Sequence, residues 1–260
     1  MNKPKGKLIA IGGNINMKIS NADNILRRIV RETNIDSPRI EIIPTASGSP
    51  EKAAAEYRMA FRRLGSDARV LPIAGRRDAK NKNFLLSLEK ADGIMFTGGN
   101  QRRLVRIFNN TEFLEILKSR YKEGNFLIAG TSAGAMAMPH VMIIGGRSAK
   151  GLQKGEVKMG FGFSFTQGLV IDSHFDKRGR FGRLIQALAG NPSLTGMGLG
   201  EDTGVVITAN NFEVIGSGTV FIFDGHQIGR NYFSILRKGR LISVENIITH
   251  VLSAGDRYDL

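Results

Sequence analysis

The sequence predicts an α/β protein: a three-layer sandwich around a mostly parallel, doubly wound central sheet, with an antiparallel, β-rich C-terminal half. Over the first 140 residues, apolar runs typical of buried strands alternate with segments of helical periodicity, which is the pattern of a parallel sheet. After residue 140, short β-rich runs are separated by Gly, Asn and Asp. No Pro/Ser-rich linker or repeat divides the 260 residues, so we expect a single domain spanning 1–260.

The elements of the first half follow one another in a regular order. A strand at 7–11 ends at Gly12-Gly13, and a helix is expected to begin near Ser20, with Asp23 as its capping-box-like partner. Further strands are predicted at 40–43, 70–73, 92–96 and 126–130, and further helices at 50–65, at 82–90 and, as a pair, within 104–117. Because ligands bind such sheets at the carboxyl ends of the strands, we expect the functional site on that rim.

The second half contains more strands and fewer helices. Strands are predicted at 141–144, 169–171, 196–200, 205–208, 212–215 and 220–223. One clear helix is expected at 180–189, and the tail at 244–252 has a helix-like pattern that contains His250. This half is therefore interpreted as antiparallel sheet and loops belonging to the same domain.

Composition limits the chemistry that the protein can perform. The chain has no cysteine, which excludes disulfides, thiolate metal sites and a cysteine nucleophile. Neither a metal-ligand cluster nor a dinucleotide fingerprint is present, so no metal and no cofactor are expected. No apolar window approaches 18 residues and the first apolar run is too short for a signal sequence, so we expect a cytoplasmic protein without a membrane partner.

The net charge of +14 favours attraction to anions, such as nucleic acid, acidic lipid or a carboxylate-rich substrate. The basic residues are distributed over several helices, and no nucleic-acid-binding motif accompanies them. A solvated basic surface is therefore the preferred interpretation, and no specific nucleic-acid partner is expected. The alternative is a non-catalytic basic protein that binds a polyanion.

The pentapeptide G-T-S-A-G at 130–134 follows an apolar strand and precedes helix-forming residues. This strand–turn–helix context is that of a nucleophile elbow, which exposes the Oγ of Ser132 at the carboxyl end of the strand. Gly130 and Gly134 would allow the flanking backbones to pass close together. The N–H of Ala133 would lie at the helix N-terminus, where it can face a developing oxyanion. The alternative is a tight turn without catalytic function.

A general base and an orienting acid are needed beside the serine. Of four histidines, His174 directly follows the apolar run at 169–173 among polar neighbours, where a base could reach a serine. Glu201 and Asp202 follow another strand-like segment, and an acid there could orient the imidazole, although a simple acidic turn remains open. His140, His226 and His250 are interpreted as structural or surface residues.

Three arginines lie close together after His174. Arg178, Arg180 and Arg183 occupy the start of a predicted helix, where the helix dipole favours acids rather than cations. This local conflict suggests a function, because guanidinium groups bind carboxylates and phosphates in a bidentate manner. The alternative is a basic, solvated helix face.

Four motifs, in this order and at this spacing, carry a family resemblance: F-T-G-G-N-Q at 96–101, G-T-S-A-G-A at 130–135, D-S-H-F-D-K-R-G-R-F-G-R-L at 172–184 and G-L-G-E-D-T at 198–203. Together they resemble the serine exopeptidase family of cyanophycinase, which also includes the α-aspartyl dipeptidase peptidase E. The resemblance implies a class I glutamine amidotransferase-like fold with serine at the elbow. It also implies a homodimer that hydrolyses cyanophycin, a poly-aspartate with arginine on each β-carboxyl, to β-Asp-Arg dipeptides.

The same resemblance implies roles for individual residues. Ser132 would be the nucleophile, His174 the general base and acid, and Glu201 the orienting carboxylate. The backbone at Gly98 and Gly99 would join the Ala133 N–H in an oxyanion hole. Positions that line the substrate pocket in the family are matched by Gln101, Asp172, Ser173, Arg178, Arg180 and Arg183, with Asp172 expected to meet the substrate guanidinium.

Two departures from the family pattern bear on the substrate. Ser173 replaces an expected glutamine beside the histidine, which removes a long amide from the pocket wall. The first glycine loop has the sequence G-G-N-I-N instead of an acidic G-G-A-E-D type. A peptidase for other aspartyl or isoaspartyl peptides is therefore a second candidate function.

Overall fold

The computed structural model describes residues 3–18, 24–209, 211–229 and 232–260. Its strands are β1 Lys7–Ile11, β2 Arg39–Ile43, β3 Asp67–Val70, β4 Gly93–Phe96, β5 Leu127–Thr131, β6 Val141–Gly145, β7 Lys158–Phe161, β8 Leu169–Ser173, β9 Thr195–Leu199, β10 Thr203–Thr208, β11 Asn211–Gly216, β12 Val220–Asp224, β13 Ile248–Leu252 and β14 Arg257–Asp259. Its α-helices are α1 Ile25–Glu32, α2 Pro50–Arg63, α3 Lys82–Glu89, α4 Gln101–Phe108, α5 Glu112–Glu123, α6 Ala133–Met136 and α7 Phe181–Gly190.

The central sheet has eight strands in the order β14-β11-β10-β1-β5-β4-β2-β3. The five strands of the first half pair in parallel, and β10, β11 and β14 extend the sheet with antiparallel pairing. Strand β1 lies between β5 and β10, so its carboxyl end is surrounded by the ends of other segments. The predicted fold class, a mostly parallel sheet within an α/β protein, is confirmed.

Both faces of the sheet are covered, which explains why its strands are continuously apolar. Alternate side chains of β1 enter different cores: Leu8 and Ala10 pack on one side, Ile9 and Ile11 on the other. The first core includes apolar residues of α3, α4 and α5, and the second includes those of α1 and α2. This arrangement is the predicted three-layer sandwich.

A second sheet, with the order β13-β12-β9-β8, carries the rest of the chain. The pairs β9–β12 and β12–β13 are antiparallel, as predicted for the second half, whereas β8 and β9 pair in parallel. The predicted helix-like tail is wrong, because 248–252 forms β13 and pairs antiparallel with β12. Backbone pairing with a distant strand decides the structure of this tail, and no local pattern records that pairing.

Two boundaries in the first half also differ from expectation. Strand β3 ends at Val70, and the buried Leu71 and Ile73 follow it in irregular backbone. The predicted helix start at Ser20 with Asp23 lies outside the described residues; the described helix begins at Ile25, where the Asn24 side chain accepts hydrogen bonds from two backbone N–H groups.

Within the ranges given above, no helix has the length and apolar character needed to cross a bilayer. In the same part of the chain, no group of three or more His, Cys, Asp or Glu side chains is arranged to hold a metal ion.

Aromatic packing beneath the sheet provides a test of the core. Phe163 is fully buried, and its ring centroid lies 5.4 Å from that of Phe96 and 6.2 Å from that of Phe108. Phe163→Ala should lower the free energy of unfolding by about 3–5 kcal/mol, because it leaves a cavity in a close-packed core. Phe161→Ala is the matched control, since this ring is 68% exposed, and it should cost less than about 1 kcal/mol. Urea unfolding followed by circular dichroism measures both, and equal losses would contradict the packing described.

Candidate active site

The turn after β5 holds Ser132 in a backbone conformation that few non-glycine residues adopt, with φ 51° and ψ −111°. The predicted need for small flanking residues is confirmed: a Cβ at Gly130 would lie 2.7 Å from the Gly134 carbonyl carbon, and a Cβ at Gly134 would lie 2.7 Å from the Phe96 oxygen. The helix that follows, α6, has only four residues. The Ala133 N–H therefore lies at the start of a single helical turn, without a long helix behind it.

Three side chains predicted from separate motifs lie together. His174 Nε2 is 3.1 Å from Ser132 Oγ, and His174 Nδ1 is 2.8 Å from Glu201 Oε1. With a proton on Nδ1, the imidazole donates to the carboxylate and its Nε2 accepts from the serine hydroxyl. This is the order nucleophile, base and orienting acid. Sequence reasoning left the acid open between Glu201 and Asp202; the contact is made by Glu201.

These three segments meet at the end of β1, where consecutive carbonyl groups bind one segment each. The Ile11 oxygen accepts from the Ser132 N–H, the Gly12 oxygen from the His174 N–H and the Gly13 oxygen from the Asp202 N–H, each at 2.8 Å. The backbones of all three donor residues have positive φ, at 51°, 47° and 47°. Such conformations are costly for non-glycine residues, and these hydrogen bonds hold them in place.

The loop after β1 also contacts the imidazole and the carboxylate directly. Gly13 has φ +118°, and a Cβ there would lie 2.3 Å from His174 Cε1, so the backbone is packed against the ring. Asn14 donates from Nδ2 to Glu201 Oε2 over 3.1 Å. The sequence placed Gly12 and Gly13 on the functional rim but gave no role to Asn14; its only signal was the departure of this loop from the family pattern.

Burial and charge set the protonation of the base and its partner. Burial, together with the positive charges of Arg178 and Arg180, lowers the pKa of His174 below its ordinary value, although the hydrogen bond to Glu201 opposes the shift. The hydrogen bond from His174, assisted by that from Asn14, lowers the pKa of Glu201. Near neutral pH the site therefore combines a neutral imidazole with an ionised carboxylate.

Behind the histidine, Asp172 forms a buried ion-pair cluster with two arginines. Its Oδ1 lies 2.7 Å from Arg180 Nη1, and its Oδ2 lies 3.0 Å from Arg183 Nε. Asp172 is fully buried, so the expectation that it meets a substrate guanidinium is corrected: the two arginines of the protein already occupy its carboxylate. Two guanidinium groups share one carboxylate, which leaves an excess positive charge in this cluster.

The other predicted pocket residues differ in their exposure. Ser173 is 1% exposed and its Oγ donates to Met136 Sδ over 3.3 Å, so it does not line an open surface. Gln101 is half-buried at the start of α4, and its Nε2 donates to the Ile143 carbonyl. The Arg178 side chain is exposed, and the backbone N–H of this residue donates to the His174 carbonyl oxygen over 3.0 Å.

The loop after β4 lies beside the serine. A Cβ at Gly98 would lie 3.9 Å from Ser132 Oγ, so this backbone passes close to the hydroxyl. Gly99 has φ +138°, and a Cβ there would lie 2.0 Å from the Ala46 oxygen, which restricts the position to glycine. The predicted oxyanion residues thus belong to two backbone segments near Ser132: Gly98 and Gly99 lie in the loop after β4, and Ala133 follows the serine at the start of α6.

The remaining histidines have other partners. His140 Nδ1 lies 2.9 Å from Ser164 Oγ, and His226 Nδ1 lies 2.6 Å from Asp224 Oδ1. His250 lies on β13, where its ring packs against Tyr258. The Ser132–His174 pair differs from the Ser164–His140 pair because the second ring nitrogen of His174 contacts a carboxylate, that of Glu201. A serine, an imidazole and a carboxylate in this order are the arrangement used for nucleophilic attack on a carbonyl carbon.

Comparisons with known proteins show which family and which solved fold this chain resembles. Residues 8–215 match the model of Peptidase family S51. The chain is 34% identical over 238 residues to a protein named cyanophycinase from Trichormus variabilis. The matched region covers 91% of this chain and 80% of the relative. The chain is 35% identical over 222 residues to a protein of the same name from Geminocystis herdmanii, covering 85% and 82%. A crystal structure of a peptidase from an acI-B1 Actinobacterium superposes with a TM-score of 0.73 at 21% identity, covering 100% of this chain and 99% of that one.

The close packing of Gly13 on the imidazole generates a prediction. Gly13→Ala should slow the reaction of Ser132 with a fluorophosphonate at least tenfold, since the new Cβ and the positive φ both displace the His174 ring. Gly48→Ala is the matched control, because nothing lies within 4 Å of a Cβ at that position. Intact-protein mass spectrometry over time measures the labelling, and circular dichroism checks the fold. Equal rates in a folded Gly13→Ala variant would show that the loop does not position the base.

Proposed function

The chain belongs to peptidase family S51, and on that premise we propose that it is a serine exopeptidase that hydrolyses cyanophycin to β-Asp-Arg dipeptides. The observation that carries the proposal is the hydrogen-bonded chain from Ser132 through His174 to Glu201. The similarity to proteins named cyanophycinase supports the choice of substrate. Release of a dipeptide requires hydrolysis of a peptide bond in the aspartate backbone.

In the proposed mechanism, Ser132 Oγ attacks the carbonyl carbon of that peptide bond while His174 Nε2 takes the hydroxyl proton. Glu201 accepts from Nδ1, which keeps Nε2 free as the acceptor and stabilises the imidazolium that forms. The imidazolium then gives its proton to the leaving amine, the C–N bond breaks and an acyl-enzyme remains on Ser132. Water attacks this ester in the same way, the histidine again moving the proton, and releases the carboxylate and the serine.

The tetrahedral intermediates carry a negative oxygen that must be stabilised by hydrogen-bond donors. We assign this role to the Ala133 N–H and to the backbone at Gly98 and Gly99. Support comes from the position of both segments beside Ser132 and from the tight packing that fixes the glycine loop. Donors held in place before the reaction need no reorganisation when the charge develops, which is the main advantage of such a hole.

Charge supports the substrate assignment. Each repeat of cyanophycin carries a free arginine carboxylate and a guanidinium. The cluster around Asp172 contains two guanidinium groups for one carboxylate. The exposed Arg178 precedes Arg180 by two residues. We propose that Arg178, Arg180 and Arg183 attract a substrate carboxylate to this excess charge, and that Gln101 also contacts the substrate. Asp172 then acts by orienting the two buried arginines.

A second candidate function is hydrolysis of other aspartyl or isoaspartyl peptides. The observation that favours it is Ser173, which bonds to Met136 inside the protein and provides no long amide at the pocket wall. Such a change alters which substrates fit, while the reacting groups stay the same.

We further propose a cytoplasmic homodimer in which residues 1–260 form one catalytic domain. A single domain is supported because Ser132 follows a strand of the central sheet, whereas His174 follows a strand of the second sheet. A dimer is supported by large apolar side chains on the surface: Tyr232, Ile235 and Leu241 are 60%, 77% and 70% exposed.

Incubation of the purified protein with cyanophycin tests the proposal. The parent protein should release β-Asp-Arg, identified by mass spectrometry, and Ser132→Ala should reduce the rate by at least about 10³-fold because the nucleophile is lost. An α-aspartyl and an isoaspartyl dipeptide, assayed in parallel, distinguish the second candidate. Undiminished turnover by a folded Ser132→Ala variant would overturn the mechanism.

The lowered pKa of His174 predicts the pH dependence of hydrolysis. The base must be neutral, so kcat/KM should be constant near neutral pH and fall as the pH drops through a value below the ordinary 6.5. Arg178→Ala should move this acidic limb to higher pH. The positive charge of Arg178 disfavours the imidazolium, so its removal raises the pKa of His174. Arg69→Ala, at an exposed pair with Asp67, is the control and should leave the limb unchanged. An acidic limb above pH 6.5 in the parent protein would contradict the assignment.

A further inference from the structure

We propose that Asn14 is a positioning residue that fixes the carboxylate of Glu201 for its bond to His174. The inference rests on the proposed function and adds to it a residue of the first loop. The two oxygens of Glu201 have separate partners: Oε1 accepts from the imidazole at 2.8 Å, and Oε2 accepts from Asn14 Nδ2 at 3.1 Å. The chain Asn14–Glu201–His174–Ser132 thus has one more member than the sequence motifs indicate.

The need for such a residue follows from the exposure of the acid. The Glu201 side chain is 28% exposed, whereas that of His174 is 12% exposed. A glutamate with solvent on one side and a single hydrogen bond can rotate, and each rotation removes the acceptor that orients the imidazole. A second hydrogen bond to the other oxygen limits this rotation.

The backbone of the loop is built to present this amide. Asn14 has φ 47°, a conformation that asparagine adopts more readily than most residues. The preceding residue, Gly13, accepts from the Asp202 N–H, which ties the loop to the residue next to Glu201. The Asn16 N–H donates to Asp202 Oδ1 at 2.8 Å and closes the loop on its other side.

The neutrality of the amide matters to the base. The charged groups that face His174 are Glu201, Arg178 and Arg180, and Glu201 is in addition faced by Lys177. An amide fixes the carboxylate without adding a charge to this set. An aspartate at position 14 would place a second negative charge beside Glu201 and favour the imidazolium.

The test uses two substitutions at this position and one matched control. Asn14→Gly keeps the positive φ accessible and removes the donor; kcat should fall about 10- to 150-fold with KM changed less than twofold, the loss expected for one hydrogen bond to a charged group. Asn14→Asp should raise the pKa of His174 by about half a unit or more. Asn16→Asp adds the same charge two residues away, where the side-chain oxygen already accepts from the Lys18 N–H, and should shift this pKa much less.

NMR titration of the histidine imidazoles, with the His174 signal assigned from a His174→Gln variant, measures the pKa without any substrate. The proposal is overturned if Asn14→Asp shifts this pKa no more than Asn16→Asp, or if Asn14→Gly keeps the kcat of the parent protein. If cyanophycin and the other aspartyl peptides are not hydrolysed, the titration and the rate of fluorophosphonate labelling still decide the role of Asn14. Failure of the proposed function is therefore distinguishable from failure of this inference.

Discussion

The site depends on three backbone hydrogen bonds accepted by the carbonyl groups of Ile11, Gly12 and Gly13. Each binds the backbone N–H of a different segment, and those segments carry Ser132, His174 and the residue after Glu201. The segments come from two sheets and are separated by dozens of residues along the chain. Because β1 is surrounded by strands on both sides, its end is a rigid reference point for all three.

Strain is concentrated at the same point. Ser132, His174, Asp202 and Asn14 all have positive φ, which costs on the order of 1–3 kcal/mol for most residues other than glycine and less for asparagine. The backbone hydrogen bonds at the end of β1 offset part of that cost for three of them. These backbone conformations turn the chain sharply after the strands, which brings the side chains of Ser132, His174 and Glu201 within hydrogen-bonding distance.

Electrostatics then divides the site into two regions with different tasks. Around His174, burial and neighbouring arginines keep the imidazole neutral, while Glu201 retains its negative charge. In the neighbouring cluster, Asp172 shares its carboxylate between Arg180 and Arg183, so two guanidinium groups are paired with one carboxylate. Breaking such a buried pair by removing one partner is strongly destabilising, so the fold depends on Asp172 and its arginines together.

The sequence by itself determined the parallel sheet and the elbow at Ser132, because the pentapeptide directly follows an apolar strand and precedes a helix. It indicated His174 and Glu201 as candidate partners of the serine through the resemblance that joins the four motifs. It failed where pairing between distant segments decides the outcome. The tail at 248–252 is a strand because it pairs with β12, and Asp172 is fully buried within β8, where two arginines contact its carboxylate. Asn14 and Glu201 are 187 residues apart, and no local pattern records a hydrogen bond across that distance. Periodicity and turn chemistry are local properties of the chain, whereas burial, ion pairing and the orientation of a carboxylate are set by which segments meet in the folded protein.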